Sequence, residues 1–205
     1  MAIFTDFSKR IRSEQSFTLV ELLIVSVLII ILSALMLVNF NSNQGAVSLQ
    51  NDAQKVALDI SRAESMALSS STQGGTPPAG YGIHFSLNTP SANPPYSGND
   101  AKSYAIFCDN GTNYANSNGL YSSNACVSQT LIESLPANVS VTALSTTLNN
   151  GLDVSYFPPI PALLVNGNAF SSIAAGYVTI TLGSAVNPAI HKTIYIYSTG
   201  QVSVQ

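Results

Sequence analysis

A run of 22 residues, Phe17 to Val38, contains one ionisable side chain, the carboxylate of Glu21. A helix of roughly 20 apolar residues is long enough to cross the hydrocarbon core of a membrane. Lys9, Arg10 and Arg12 precede the run, and basic residues next to a span tend to stay on the cytoplasmic side. The sequence therefore predicts one span of the cytoplasmic membrane, with the rest of the chain outside the cytoplasm.

The carboxylate of Glu21 is unusual in such a segment. A charged side chain in a membrane span costs about 3 kcal/mol on insertion scales, and charged residues in spans usually have a partner or a function. No small-residue cleavage site follows Val38, only Asn39–Asn43, so removal of the run as a secretory signal peptide is not expected. A plain signal anchor is the alternative for the segment. Glu21 is the first candidate functional residue.

The chain as a whole carries few charges. Charged residues make up 8% of the 205 residues, whereas a typical soluble domain has about 25%. The formal net charge is −3, and Lys and Arg form no cluster beyond the N-terminus. Proteins that bind nucleic acid usually carry a basic patch, so the composition gives a nucleic-acid partner no support. It is typical of an exported protein surface.

A second helical pattern follows the apolar run. Its apolar residues recur at spacings of three and four, which places them on one face of a helix: Leu49, Ala53, Val56, Ile60, Ala63 and Ala67. Charges of alternating sign occupy another face, as on a solvated helix surface: Asp52, Lys55, Asp59 and Arg62. Between the two patterns, Asn39–Gly45 is compatible with a kink or with a continuous helix.

Beyond Ser71 the apolar period changes from that of a helix to that of a strand. Tyr81–Leu87 alternates apolar with small or polar residues, which predicts a half-buried strand. The other predicted strands are Ser103–Cys108, Thr130–Ser134, Val139–Ala143, Leu152–Phe157, Tyr177–Leu182, Thr193–Tyr197 and Gln201–Val204. Ser198–Gly200 suits a three-residue hairpin loop with its glycine in the left-handed conformation. The predicted fold class is α+β, a long N-terminal helix packed on a C-terminal antiparallel β-sheet head.

Segments rich in Pro, Gly and Asn separate the predicted strands and are interpreted as loops: Gly74–Pro78, Pro90–Asp100, Asp109–Ala125 and Pro158–Gly167. Loops on a rigid scaffold often carry binding residues. Four tyrosines near these loops are interpreted as anchors of the loops rather than as a binding surface: Tyr81, Tyr96, Tyr114 and Tyr121.

The two cysteines flank one of these loops. Cys108 and Cys126 lie in a part of the chain expected outside the cytoplasm, where disulfides form, so we predict a bridge between them. It would close a loop of about 19 residues and contribute about 3 kcal/mol on the chain-entropy estimate. Zinc usually has four ligands, and His84 and His191 are distant from both cysteines in the sequence. No zinc site is expected.

No catalytic motif is present in the sequence. The chain lacks a GxSxG elbow, an HExxH helix and a P-loop. Asp109 and nearby Asn side chains offer oxygens, but their spacing does not match an EF-hand loop, and Asx turns explain the same residues. Glu133 and Asp153 would form a glycosidase-like carboxylate pair only if the fold brought them together. We expect no enzymatic activity, no metal and no cofactor.

The sequence around the start of the apolar run resembles the processing site of type IV pilins and type II secretion pseudopilins. The resemblance rests on the basic leader, the small Ser16, and the sequence FTLVELLIV that begins at Phe17. It implies that a prepilin peptidase cleaves the Ser16–Phe17 bond and that the new N-terminus at Phe17 is methylated. The family usually has Gly where this chain has Ser16. The resemblance also implies that Glu21 pairs with the α-amino group of a neighbouring subunit in a filament.

A second resemblance is to the GspH/FimT group of minor pseudopilins. It rests on Arg62-Ala63 in the amphipathic helix, on the Tyr81–Phe85 strand, and on the closing Ser198–Val202 segment. It is looser than the first and follows mainly the order of the elements. Together with the residue patterns it predicts four parts: a leader (1–16), a membrane or filament-core helix (17–38), an amphipathic continuation (39–71) and a β-rich head (72–205).

The predicted function is that of a structural subunit, a minor pilin or pseudopilin, in a pilus-like or type II secretion filament. The partners that the resemblance implies are other pilin subunits, the prepilin peptidase, the assembly platform of the inner membrane, and membrane lipid before assembly. The alternative is that the head acts mainly as a binding module for DNA, a surface or a secreted substrate. In that case the outer basic residues Lys102 and Lys192 would contribute to DNA binding.

Overall fold

The structure is a computed structural model that describes residues 18–69, 78–88, 100–109, 119–121, 130–148, 150–158, 162–185 and 187–205; for 37–44 it describes the backbone only. In these residues the chain forms one α-helix of 50 residues, α1 (Leu19–Leu68). The strands are β1 (Gly80–Ser86), β2 (Ser103–Asp109), β3 (Leu131–Ser134), β4 (Val139–Leu144), β5 (Gly151–Phe157), β6 (Ala162–Val165), β7 (Asn168–Ala169), β8 (Tyr177–Ser184), β9 (His191–Tyr197) and β10 (Val202–Val204). The predicted α+β class is confirmed.

The chain divides into two compact units, Met1–Ser42 and Asn43–Gln205. In the first unit, Leu19–Met36 is the one helical segment of the described residues that is long and apolar enough to cross a membrane, and none of it is buried within the chain. Asn39–Gly45 lies within the bounds of α1, and its backbone is helical.

In the second unit, α1 packs through the face that the sequence predicts. All six apolar residues of that face are at most 2% exposed: Leu49, Ala53, Val56, Ile60, Ala63 and Ala67. Each is three or four residues, about one turn, from the next, so the six form a continuous stripe along the helix. The predicted core face is confirmed.

The strands of the predicted antiparallel head form two sheets. Sheet A has the order β3-β2-β1-β5-β6-β7, and sheet B has the order β10-β9-β8-β4. In sheet A, β1 lies between β2 and β5, with Ile83 opposite Ile106 on one side and Val154 on the other. One hydrophobic cluster contains the buried face of α1 together with apolar side chains of both sheets. The core therefore lies where the helix and the two sheets meet.

Strand β1 differs from the half-buried strand that its alternation predicts. All seven of its residues are buried, including the polar His84 and Ser86. One face of β1 contributes Ile83 and Phe85 to the core. The other face is covered by Tyr121, whose ring stacks on that of His84. Alternation predicts which residues share a face of a strand, but it does not show whether a distant segment covers the polar face.

The prediction of a loop over Pro158–Gly167 is wrong, because β6 occupies Ala162–Val165 and pairs with β5. A two-residue turn joins β6 to β7, with positive φ at both Asn166 and Gly167. Asn-Gly is the preferred dipeptide for this turn, whose twist matches that of the flanking strands. The sequence thus carried a hairpin signal that the abundance of Pro and Gly nearby obscured.

The hairpin loop predicted at Ser198–Gly200 is confirmed. It joins β9 to β10, the backbone N–H of Gly200 donates to the carbonyl of Tyr197, and Gly200 has a φ of 84°. A Cβ at position 200 would also lie 2.6 Å from Oε1 of Glu64 on α1. Both the turn and the close approach of the helix therefore favour glycine here.

Candidate functional site

The first turn of α1 carries the candidate assembly residue, Glu21. Just before the helix, Oγ1 of Thr18 accepts a hydrogen bond from the backbone N–H of Glu21 at 3.2 Å. Thr18 therefore caps the helix, and Glu21 stands three residues after the cap, as in a Thr-x-x-Glu capping box. The sequence analysis missed this signal, although Thr18 and Glu21 have the required spacing. A negative charge in the first turn also interacts favourably with the helix dipole.

Around Glu21 the surface of the helix is apolar on all sides. Large apolar side chains from Leu19 to Met36 are 45–81% exposed within the chain. Glu21 is the one ionisable group in this segment and is itself exposed. Exposed apolar area on this scale usually marks a contact with a membrane or with another protein. The predicted cleavage and methylation residues, Ser16 and Phe17, lie outside the described residues.

The charged face of α1 is not purely a solvated surface, which corrects the prediction. Nζ of Lys55 lies 2.7 Å from Oε2 of Glu133 on β3. The hydroxyl of Tyr104 on β2 donates to Oδ2 of Asp59 at 2.5 Å. Two of the four charged residues of this face therefore link α1 to sheet A. Sequence spacing within the helix could not show this, because the partners are 45 and 78 residues away.

The environment of these two contacts shifts proton affinities. Burial raises the pKa of the Tyr104 hydroxyl, and the hydrogen bond to Asp59 raises it further. The hydrogen bond to Glu133 raises the pKa of Lys55 above 10.5. Tyr104 therefore remains a neutral hydrogen-bond donor, and Lys55 remains charged, throughout the physiological pH range. Both contacts are suited to holding the helix on the sheet rather than to proton transfer.

Cys108 lies on β2, is fully buried, and is disulfide-bonded. Its register opposite Tyr81 places it among the core residues between sheet A and α1. Its predicted partner, Cys126, lies outside the described residues, so the Cys108–Cys126 pairing stays a prediction. A bridge from this position would fix the chain after β2 directly to the core.

A buried polar pair lies on the opposite face of sheet A. Nδ1 of His84 is 2.6 Å from Oδ1 of Asp153, and both side chains are less than 10% exposed. The ring of Tyr121 stacks on His84 at a centroid distance of 4.6 Å. Gly151 makes room for the imidazole, because a Cβ there would lie 2.7 Å from Cε1 of His84. Burial of both polar groups is tolerated because each has a partner.

The carboxylates of Glu133 and Asp153 do not come together. Glu133 is on β3 and Asp153 is on β5, three strand spacings apart in sheet A, or about 14 Å. Each also has its own partner, Lys55 and His84 respectively. This arrangement provides no glycosidase-like pair, since such pairs are separated by roughly 5 to 10 Å.

The Asp109 carboxylate, the one acidic group of its loop, is buried and forms a hydrogen bond within the protein. It is 4% exposed and accepts a hydrogen bond from the backbone N–H of Gly119 at 2.9 Å. No group of three or more potential metal ligands of the His, Cys, Asp or Glu type occurs among the described residues. Residues 110–118 and 122–125 of the loop lie outside them.

The described loop tyrosines and Lys102 make contacts within the protein that support the fold. Tyr81 is 2% exposed and belongs to the core, and Tyr121 packs on His84, as the anchor interpretation predicts. Tyr96 and Tyr114 lie outside the described residues. Nζ of Lys102 donates to the carbonyls of Ala137 and Val139, at 2.6 and 3.1 Å, so it secures the turn between β3 and β4. A change at Lys102 would therefore disturb the fold and would not test DNA binding cleanly.

Comparison with protein-family models found no match for this chain. Comparisons with curated proteins and with solved structures found none either. The resemblance to type IV pilins and pseudopilins therefore stays an expectation from the sequence.

Proposed function

We propose that the chain is a structural subunit of a type IV pilus-like or type II secretion filament, of the minor pilin or pseudopilin kind. The observation that carries the proposal is the apolar helix surface of Leu19–Met36, exposed on all sides and interrupted by the single carboxylate of Glu21. In the membrane, lipid covers this surface. In a filament, the helices of neighbouring subunits replace the lipid.

The position of Glu21 allows an ion pair between neighbouring subunits. Cleavage before Phe17 would create an α-amino group four residues before Glu21 in each subunit. Burial of a carboxylate or an amine alone is strongly unfavourable, whereas burial of the two as an ion pair changes the free energy little. Pairing between subunits would therefore select one axial register of the helices. The capping interaction with Thr18 is compatible with this role because it uses the backbone N–H of Glu21 and not its carboxylate.

The head fits the role of a folded body carried outside the membrane. Its helix is held to sheet A by apolar packing and by the Lys55–Glu133 and Tyr104–Asp59 contacts. The disulfide of Cys108 agrees with an oxidising compartment. We expect the partners to be other subunits, the prepilin peptidase and the assembly platform, and we expect no enzymatic activity.

The mass of the mature chain tests this function. We expect protein from cells that contain a prepilin peptidase to begin at Phe17 and to carry one added methyl group. Protein from matched cells without the peptidase should retain Met1–Ser16. Ser16→Trp serves as a second arm, since a bulky residue before the cut should block processing without changing the apolar helix. Recovery of the uncut chain from cells with an active peptidase would contradict the proposal.

A further inference from the structure

Three tyrosines form a cluster on the outer face of sheet B. Tyr177 on β8 lies directly opposite Tyr197 on β9, and Tyr195 is the next residue of the same face along β9. The ring centroids are 5.3 Å apart for Tyr177 and Tyr195, 6.2 Å for Tyr177 and Tyr197, and 6.4 Å for Tyr195 and Tyr197. Tyr177 is 38% exposed, and the other two are half-buried. The cluster therefore presents aromatic surface to its surroundings.

Hydroxyl groups surround these rings. The strand register places Thr179, Thr181 and Thr193 on the same face, with Ser203 of β10 opposite Tyr195. No hydrogen bond within the described residues uses the hydroxyls of the three tyrosines. We name the surface formed by Tyr177, Tyr195, Tyr197 and these four hydroxyl residues the tyrosine face. The hydroxyls of Thr181 and Thr193 form a hydrogen bond with each other at 3.5 Å, and the Ser203 hydroxyl is buried. The donors and acceptors that the face offers are therefore mainly the tyrosine hydroxyls.

The tyrosine face carries no Asp, Glu, Lys or Arg; its one basic ring is that of His191, which pairs with Gly183 at the far end of β9. Lys192 is the only Asp, Glu, Lys or Arg in the four strands of sheet B. It pairs with the buried Leu182, which places it on the opposite face of the sheet. A nucleic acid or another polyanion gains most of its affinity from Lys and Arg contacts to phosphate, and this surface offers none. A charged peptide would lose hydration here without gaining an ion pair.

We propose that the tyrosine face binds a neutral carbohydrate chain. A pyranose ring has a flat face of C–H groups that packs on an aromatic ring, and an edge of hydroxyls that both donate and accept hydrogen bonds. This combination matches the rings and the hydroxyls of the tyrosine face, and the absence of charge on both sides matches as well. A purely apolar partner would leave the tyrosine hydroxyls without hydrogen bonds at the contact. The proposal does not depend on filament assembly.

Titration of the full chain with neutral hexasaccharides tests this proposal. The chain is held in a sugar-free zwitterionic detergent, and the probes are cellohexaose and chitohexaose, followed by calorimetry and saturation-transfer NMR. We expect saturable binding of at least one probe that added salt does not weaken. Aromatic contacts contribute about 0.5–1.5 kcal/mol, so Tyr177→Thr and Tyr197→Thr should each weaken affinity roughly two- to tenfold. Tyr177→Phe keeps the ring and should lose less.

The control variant is Leu58→Thr, an exposed change on α1 that should leave affinity unchanged. Thermal unfolding of every variant confirms that the head is folded. Absence of saturable binding to both probes would overturn the proposal, as would equal affinity of wild type and Tyr177→Thr. Salt-sensitive, tyrosine-dependent binding of a DNA oligonucleotide would assign the face to a polyanion instead. Self-association that Tyr177→Thr abolishes would assign it to a second copy of the chain.

Discussion

Helix α1 buries its apolar residues very differently in its two parts. From Leu19 to Met36, apolar side chains occupy every face, and none is buried within the chain. From Leu49 to Ala67, six apolar residues form one stripe that is at most 2% exposed, and most residues on the other faces are polar or charged. A stripe forms where one side of a helix meets a core. Apolar residues on all sides indicate a helix that is surrounded, by lipid or by other helices, when it functions.

The largest expected effect separates the buried stripe from its exposed neighbours. Ile60→Ala removes a fully buried side chain and should lower the free energy of unfolding of the head by about 2–5 kcal/mol. Leu58→Ala, two residues away and 70% exposed in the wild type, should change it by less than about 0.5 kcal/mol. Denaturant titration of the full chain in detergent measures both. Similar effects at the two positions would contradict the one-sided packing of α1.

The disulfide is expected to have the next largest effect. The double variant Cys108→Ser, Cys126→Ser should lower the free energy of unfolding by about 3 kcal/mol, because it removes the restraint on the unfolded chain. Peptide mapping without reductant should recover the two cysteines in one cross-linked fragment. Free thiols at both positions in freshly isolated protein, or equal stability of the variant, would show that the predicted pairing is wrong.

Two buried tyrosines of sheet A provide a matched test of how the head holds the helix. Tyr104→Phe removes the hydrogen bond to Asp59 and should cost about 1.5–3 kcal/mol, the usual range for hydrogen bonds to charged groups. Tyr156→Phe removes a buried hydroxyl that has no partner within the described residues, so it should be neutral or stabilising. The same denaturant titration compares them. Equal losses would show that the Asp59 contact adds nothing specific.

The smallest expected effect concerns Glu64, on the part of α1 that packs on the head. Burial raises the pKa of this carboxyl above its ordinary value of 4.5. At pH values between the ordinary pKa and the raised one, the folded state therefore binds more protons than the unfolded state. The free energy of unfolding falls as pH rises through that range. Glu64→Gln should remove this slope, and Glu133→Gln serves as a control that keeps Glu64. Thermal unfolding between pH 4 and 7 measures how stability depends on pH. An unchanged pH dependence in Glu64→Gln would show that Glu64 is not its source.

How far the sequence predicts the structure depends on how far apart the interacting residues are. The stripe on α1, most of the strands and the Ser198–Gly200 hairpin depend on local spacing, and the sequence contains that information directly. The Tyr104–Asp59 bond and the His84–Asp153 pair join distant segments, so no local pattern marks them. The same reason explains why burial of both faces of β1 was missed.

The candidate site divides in the same way. The lone carboxylate of Glu21 and the Thr-x-x-Glu cap are local, and the cap was visible in the sequence although it was overlooked. The tyrosine face was not predictable, because Tyr177 and Tyr197 become neighbours only when β8 pairs with β9. Periodicity predicted these strands correctly, but it gave no information on which strands would be neighbours.

The most direct test of the filament proposal separates the two roles available to Glu21. Glu21→Gln removes the charge but keeps a residue that suits a capping box, whereas Thr18→Ala removes the cap and keeps the charge. The measurement is the ratio of processed protein in sheared filaments to that left in membranes. Breaking a buried pair costs about 3–5 kcal/mol, so Glu21→Gln should reduce incorporation by two to three orders of magnitude, while Thr18→Ala should assemble nearly as wild type does. Normal assembly of Glu21→Gln would contradict the proposed pairing.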